Sequence, residues 1–122
     1  MTKIKTSELT GAALDWAVAK CEGKQYIGKG QLNDFRHSRL QDKNTFSISW
    51  SQGGPIIERE GITTRRFSIL EDAIKWGAYE MPSIRKPKPN CVYGPTPLIA
   101  AMRCFVASKL GEDVSIPEEL IK

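Results

Sequence analysis

Gly94-Pro-Thr-Pro-Leu-Ile-Ala-Ala-Met-Arg-Cys-Phe-Val-Ala-Ser-Lys-Leu-Gly111 is the stretch around which the chain is organised. Thr96 suits an N-cap, because its hydroxyl can accept from a backbone N–H that has no partner inside the helix. Pro97 suits the first helical position, where a missing donor costs nothing. Gly111 can take the left-handed conformation that ends a helix. Between these signals Leu98, Ile99, Met102, Phe105, Val106 and Leu110 cover one broad face at helical spacing. The other side carries Ala100, Cys104 and Ala107, which are small rather than polar. A helix apolar or small all round is buried on more than one side. The reading is a central helix with a sheet against the bulky face and a second element against the small one.

Arg103 stands at the border between those faces. An arginine is almost never fully buried without a partner. One reading has it snorkel to solvent or pair with Asp15 on a neighbouring helix. The other has it face a pocket and hold an anion in the fixed fork of its donors.

The 122 residues make one domain, 1–122, with room for a real core. With 40% apolar and 26% charged residues the composition is that of a globular protein. No apolar run approaches a membrane span, and the polar start Met-Thr-Lys-Ile-Lys-Thr lacks the apolar core of a secretory signal. A cytosolic protein with no membrane partner is expected. Cys21, Cys91 and Cys104 form no CxxC pair and His37 is the single histidine, so no metal site is expected and the thiols should be free. The net charge of +4 keeps nucleic acid among the possible partners without demanding it.

Taken in order, residues 2–6 read as a short strand or an ordered arm. A first helix follows, capped by Ser7 or Thr10 and stopped by Gly23, with a stripe of Leu14, Val18 and Cys21 flanked by Ala13 and Ala17. That small surface suits the small side of the central helix. Trp16 reads as a half-exposed core edge or a base-stacking group. Residues 24–45 read as a long loop carrying His37, with a possible strand at Gln25–Ile27. Thr45-Phe46-Ser47-Ile48-Ser49-Trp50 alternates and is predicted to be a half-buried strand. It runs into Ser51-Gln52-Gly53-Gly54-Pro55, a sharp corner, and a short helix over Ile56–Glu60 that Gly61 ends. Strands are predicted over Ile62–Phe67 and Lys75–Met81, paired antiparallel. Residues 82–90, with three prolines and three basic residues, read as an extended loop, and Ile116–Leu120 as a docked turn. The fold class is α+β: one small antiparallel sheet with two main helices packed on one face.

Catalytic signatures are missing. The sequence contains no Walker-type loop, GxSxG, HExxH or GxGxxG, and one loop histidine cannot support a nucleophilic triad. No catalytic residue, cofactor or metal is expected, and the protein is read as a non-enzyme. The groups able to build a binding site are Trp50, Gln52, Gly53, Gly54 and Pro55 at the corner, Tyr93, Gly94 and Thr96 at the start of the central helix, and Arg103. A helix start favours anions; Trp50 or Tyr93 can stack on a planar base, and Arg103 or Arg85 can supply charge. Together they suit a small nucleotide-like ligand.

Ser7-Glu8-Leu9-Thr10-Gly11 with Leu14-Asp15-Trp16, then Trp50-Ser51-Gln52-Gly53-Gly54-Pro55-Ile56-Ile57-Glu58, then Tyr93-Gly94-Pro95-Thr96-Pro97-Leu98-Ile99-Ala100-Ala101-Met102-Arg103, resemble the NinX-like family of small lambdoid and enterobacterial phage proteins. The likeness keeps its order over nearly the whole chain. The loop before Trp50 and the stretch from Leu70 to Asn90 depart from the family pattern, so the resemblance assigns no role to Arg85, Lys86 or Lys88. It implies a phage or prophage accessory protein in the cytoplasm of a bacterial host. The leading expectation is that it binds a small ligand, a nucleotide signal of a host defence system, and withholds it. The alternatives are a nucleic-acid-binding factor and a protein–protein inhibitor of a host factor. A homo-oligomer fits all three.

Overall fold

The computed structural model describes residues 1–24, 44–69, 73–80 and 91–121. In chain order its elements are β1 (Thr2–Lys5), α1 (Gly11–Cys21), α2 (Trp50–Glu60), β2 (Ile62–Ile69), β3 (Ala73–Glu80), β4 (Val92–Gly94), α3 (Pro97–Leu110) and β5 (Asp113–Ile116), with 3-10 turns at Thr6–Glu8 and Glu118–Leu120. The expectations for His37, for a strand at Gln25–Ile27 and for the loop 82–90 lie outside the described residues.

The helix 97–110 forms as its sequence dictates. The Ile99 N–H donates to Thr96 Oγ1 at 3.0 Å, and Gly111 leaves the helix at φ 89°. Leu98, Ala100, Ala101, Met102, Cys104, Phe105 and Val106 are all buried, and the strip of Ile99, Arg103, Ala107 and Leu110 between them is half-buried. α3 packs on β2, β3 and β4 and also on α1 and α2, which is what an apolar sequence without a polar face requires. Burying a ring such as Phe105 contributes about 1.5–3 kcal/mol. The small residues Ala13, Ala17 and Ala19 of α1 are buried in the same core.

The α+β class holds, but the strands divide between two sheets, and the described residues contain three α-helices. β2, β3 and β4 form an antiparallel sheet in that order, with Ile62 opposite Glu80 and Trp76 opposite Gly94. β1 pairs instead with β5, Thr2 opposite Ile116 and Lys5 opposite Asp113. The four-residue β5 escaped the sequence reading because it is so short, although Val114 and Ile116 point inward and Asp113 and Ser115 outward. The ribbon is fixed beside α3 by Thr6, whose hydroxyl donates to the Gly111 carbonyl at 2.6 Å and whose N–H donates to the Glu112 carbonyl at 2.7 Å.

The strand predicted over Thr45–Trp50 is not one. Residues 46–48 form a turn, with the Ile48 and Ser49 N–H groups donating to the Thr45 carbonyl at 3.0 and 2.8 Å, and Trp50 already opens α2. Alternation predicts Phe46, Ile48 and Trp50 on one buried face, but of these only Phe46 is buried, and Ser47 from the opposite face is buried with it; Ile48 is 75% and Trp50 56% exposed. The corner expected at Gly53 and Gly54 is likewise helical, and Pro55 lies within α2. Gly61, at φ 66°, ends this helix in the left-handed conformation, as expected.

Candidate functional site

The residues singled out as a site fall into two groups, and each is tied first to the protein's own backbone. Gln52 grips the turn that precedes it: its Oε1 accepts from the Thr45 N–H at 2.9 Å and its Nε2 donates to Thr45 Oγ1 at 3.1 Å. Gly53 is where α2 touches α3. A Cβ there would lie 2.6 Å from Leu98 Cδ1 and 2.7 Å from the Phe46 carbonyl oxygen, so the contact admits only hydrogen. Gly54 has open space around it and Pro55 is exposed. Trp50 stands outward at the first position of α2.

The second group is Tyr93, Gly94, Thr96 and Arg103. Gly94 lies against α3, where a Cβ would meet the Ala100 nitrogen at 2.9 Å. Tyr93 is exposed, and the Cys91 side chain hydrogen-bonded to its hydroxyl holds that phenol above its ordinary value. Arg103 spends its fork on backbone: Nε donates to the Leu9 carbonyl at 2.7 Å and Nη1 to the Tyr93 carbonyl at 2.8 Å. Desolvation draws the guanidinium below its ordinary pKa, with Glu8 acting in the opposite sense.

The expected Asp15–Arg103 pair does not form. Asp15 is buried in α1, and its Oδ1 accepts from the Ser47 N–H at 2.8 Å. Burial raises its pKa, and the bonds with Ser47 pull it back. Asp15 is therefore the peg on which the Thr45–Ser49 turn hangs, and Arg103 joins the start of α1 to β4. Each satisfies backbone groups that a helix–helix ion pair would have left without partners. No sequence signal connected Asp15 to Ser47. For the turn–helix boundary there was one: Ser49-x-x-Gln52 has the spacing of a capping box, although Gln52 turns back to Thr45 instead.

Contacts along α2 and α3 fix their relative direction. Gly53 meets Leu98 in the first turn of α3, while the Arg59 guanidinium lies 5.7 Å from the Phe105 ring and Glu60 Oε1 lies 3.3 Å from Lys109 Nζ near its end. The two helices run parallel. Near their carboxyl ends Arg59 and Lys109 both pair with Glu60, and Arg59 also holds Glu22 at 2.6 Å. Their amino ends share the opposite end of the pair, and neither has an acidic residue in its first turn. A helix amino end carries about half a positive charge, so each of the two starts contributes a partial positive charge at this end.

Fold and site together define a small α+β protein built on one buried helix, with two parallel helix starts and an outward tryptophan at one end. Residues 5–109 match the family described as Bacteriophage P22, NinX, and the chain belongs to that family. It is a phage accessory protein. The match opens on the last residue of β1 and closes one residue before the end of α3, so it takes in every candidate residue. No curated protein matches the chain. No helix among the described residues is long and apolar enough to cross a membrane.

Proposed function

We propose that this phage accessory protein acts by binding rather than by catalysis, in the cytoplasm of the bacterial host. Its ligand is a small anionic, planar molecule of the nucleotide class. Withholding such a molecule, a signal of a host defence system, from its receptor is the action this binding would serve. The observation that carries the reading is the shared amino end of α2 and α3, free of carboxylates in both first turns, with Trp50 exposed beside it. Backbone N–H groups there suit a phosphate, and an indole face suits a base. Arg103 is left out of the ligand shell, because its donors support Leu9 and Tyr93.

Thermal-shift and calorimetric titrations with cyclic dinucleotides, cyclic oligonucleotides and ADP-ribose derivatives test the reading. At a hundred times its dissociation constant a true ligand stabilises the fold by about 2.7 kcal/mol. Trp50→Ala should abolish that gain and leave the unliganded melting temperature in place. Absence of any stabilisation across the panel rejects the proposal. A second reading, a protein–protein inhibitor, is favoured by Ile48, which is more exposed than Trp50 and stands two residues from it. Co-purification of one host protein with the wild type, lost in Ile48→Asp, would favour that reading. Assembly into a homo-oligomer is compatible with both and is read by sedimentation.

A further inference from the structure

Where α1 and α2 end, beside the second half of α3, charged side chains from all three helices join. Arg59 uses the whole fork of its guanidinium. Nη1 and Nη2 donate to the two carboxylate oxygens of Glu22 at 3.0 and 2.6 Å, and Nε donates to Glu60 Oε2 at 2.8 Å. The guanidinium also lies beside the Phe105 ring, as does Lys109 Nζ at 6.0 Å. Surface ion pairs contribute little unless they are bidentate or joined in a network, and this cluster is both. Its carboxylates are largely enclosed: the side chains of Glu22 and Glu60 keep 13% and 18% of their accessibility. The bond from Arg59 holds the Glu60 carboxyl below its ordinary value.

The apolar contact between α2 and α3 does little to fix how far one helix is slid along the other. Of α2, only Gly53 and Ile56 are fully buried. Hydrophobic attraction has no direction, and a glycine brings no side chain to seat between the ridges of the facing helix. The ion cluster is directional. It lies about two turns beyond the Gly53–Leu98 contact on both helices. Sliding α2 by one turn, about 5.4 Å, would take the guanidinium off Phe105. It would also leave the enclosed carboxylates of Glu22 and Glu60 short of cations. Stranding such charges is costly, which is how paired ions select one register over its neighbours.

We propose that Arg59 is the positioning residue of the helix pair: from the carboxyl ends it sets α2 in step with α3 and so keeps their two amino ends together. It touches no ligand and acts through the placement of Gly53 against Leu98. The geometric claim stands alone; its meaning for binding rests on the reading of the shared amino end as the ligand site.

Proton NMR on the full chain without ligand is the test. The Gly53 α-protons and the Leu98 methyls should show strong cross-relaxation in the wild type. In Arg59→Gln that signal should be lost, while the amides of α3 and of the β2–β3 ladder keep their protection against exchange. Thr6→Val removes the hydroxyl bond to Gly111 and destabilises the chain at the ribbon. The signal should survive that change, which separates positioning from a general loss of stability. Should Arg59→Gln not fold, Arg59→Lys, which keeps the charge and gives up the fork, should show the same signal weakened. Persistence of the signal in the Arg59 variant, or its equal loss in Thr6→Val, overturns the proposal. A nucleotide that binds the wild type should bind Arg59→Gln about tenfold more weakly, and unchanged affinity also overturns it. A wild type that binds none of the panel defeats the nucleotide reading and leaves the proton contact to decide this one.

Discussion

α3 and the segment from Thr45 to Glu60 are both helical at their cores, but they are specified in different ways. Every instruction for α3 is local. Thr96 caps it, Pro97 starts it, Gly111 ends it, and its apolar composition says that it is buried. The turn and α2 are instructed from a distance. Asp15 holds Ser47, Gln52 holds Thr45, and Gly53 gives up its side chain so that Leu98 and the Phe46 carbonyl can close in. Local pattern argued for a strand there, and two contacts with distant parts of the chain, Asp15 to Ser47 and Gly53 to Leu98, overruled it together with the Gln52 bonds to Thr45. In this protein a local code builds the scaffold, while long-range bonds build the part that displays Ile48 and Trp50.

Gly53→Ala strikes that distinction hardest. The new methyl would meet both Leu98 Cδ1 and a backbone oxygen. The leucine tip can move, but the Phe46 carbonyl cannot do so without shifting the turn. A loss of about 3 kcal/mol is expected, at the upper end for an overpacked contact. Urea unfolding would measure it. A loss below about 0.5 kcal/mol, the size of an ordinary surface change, would mean that α2 is not held where these contacts put it.

Asp15 comes next. Asp15→Ala leaves the Ser47 N–H buried without an acceptor, at an expected cost of about 2 kcal/mol. The same residue gives a pH signature. Burial holds its carboxyl above the ordinary value of 3.8. The folded chain therefore keeps a proton that the unfolded chain has already released. That contribution to stability is full below 3.8 and is lost as pH rises through the raised folded value. Asp15→Asn keeps an oxygen for Ser47 but does not titrate. Its stability relative to wild type should rise with pH across this window, as followed by denaturant midpoints. A flat difference would remove Asp15 from the turn.

The same distinction explains what could be read from the sequence. β2, β3, the end of α2 and all of α3 were legible, because hydrophobic period, caps and a terminal glycine lie within a few residues of what they specify. The partnership of β1 with β5 was not, since it joins the two ends of the described chain and depends on Thr6 reaching Gly111. Arg103 stands out in the sequence for a sound reason, a charge in an apolar helix, but its partners are carbonyls. No side-chain pattern points to the backbone of Leu9 and Tyr93. Of the site, the aromatics and the start of α3 were visible; that α2 begins beside it was hidden by the alternation of Phe46, Ile48 and Trp50.

Two N-caps with the same residue type sharpen the comparison further. Thr96 accepts from Ile99, whereas Thr10 stands at the N-cap of α1 with no side-chain bond. Thr96→Ala should cost about 1 kcal/mol. Thr10→Ala should cost less than about 0.5 kcal/mol, as at a surface site without such a feature. Equal losses in thermal unfolding would show that the cap is not what starts α3.

Gly54 yields the smallest effect and the finest test of what governs α2. It is helical, and a Cβ added to it would find nothing within 4 Å, so alanine there should gain about 0.5–1 kcal/mol from backbone entropy alone. But Gly54 precedes Pro55, and a Cβ before proline clashes with the ring whenever that residue is helical. The two effects oppose each other, and Gly54→Ala alone should change stability by less than about 0.5 kcal/mol. Replacing Pro55 by alanine removes the clash and returns an N–H to the helix. In that background Gly54→Ala should regain its full helical benefit. A double-mutant cycle on guanidinium midpoints reads the coupling between two adjacent residues. If the coupling is absent, Gly54 is glycine for a reason other than its neighbour's ring, and the second half of the Gly-Gly-Pro stretch loses its local explanation.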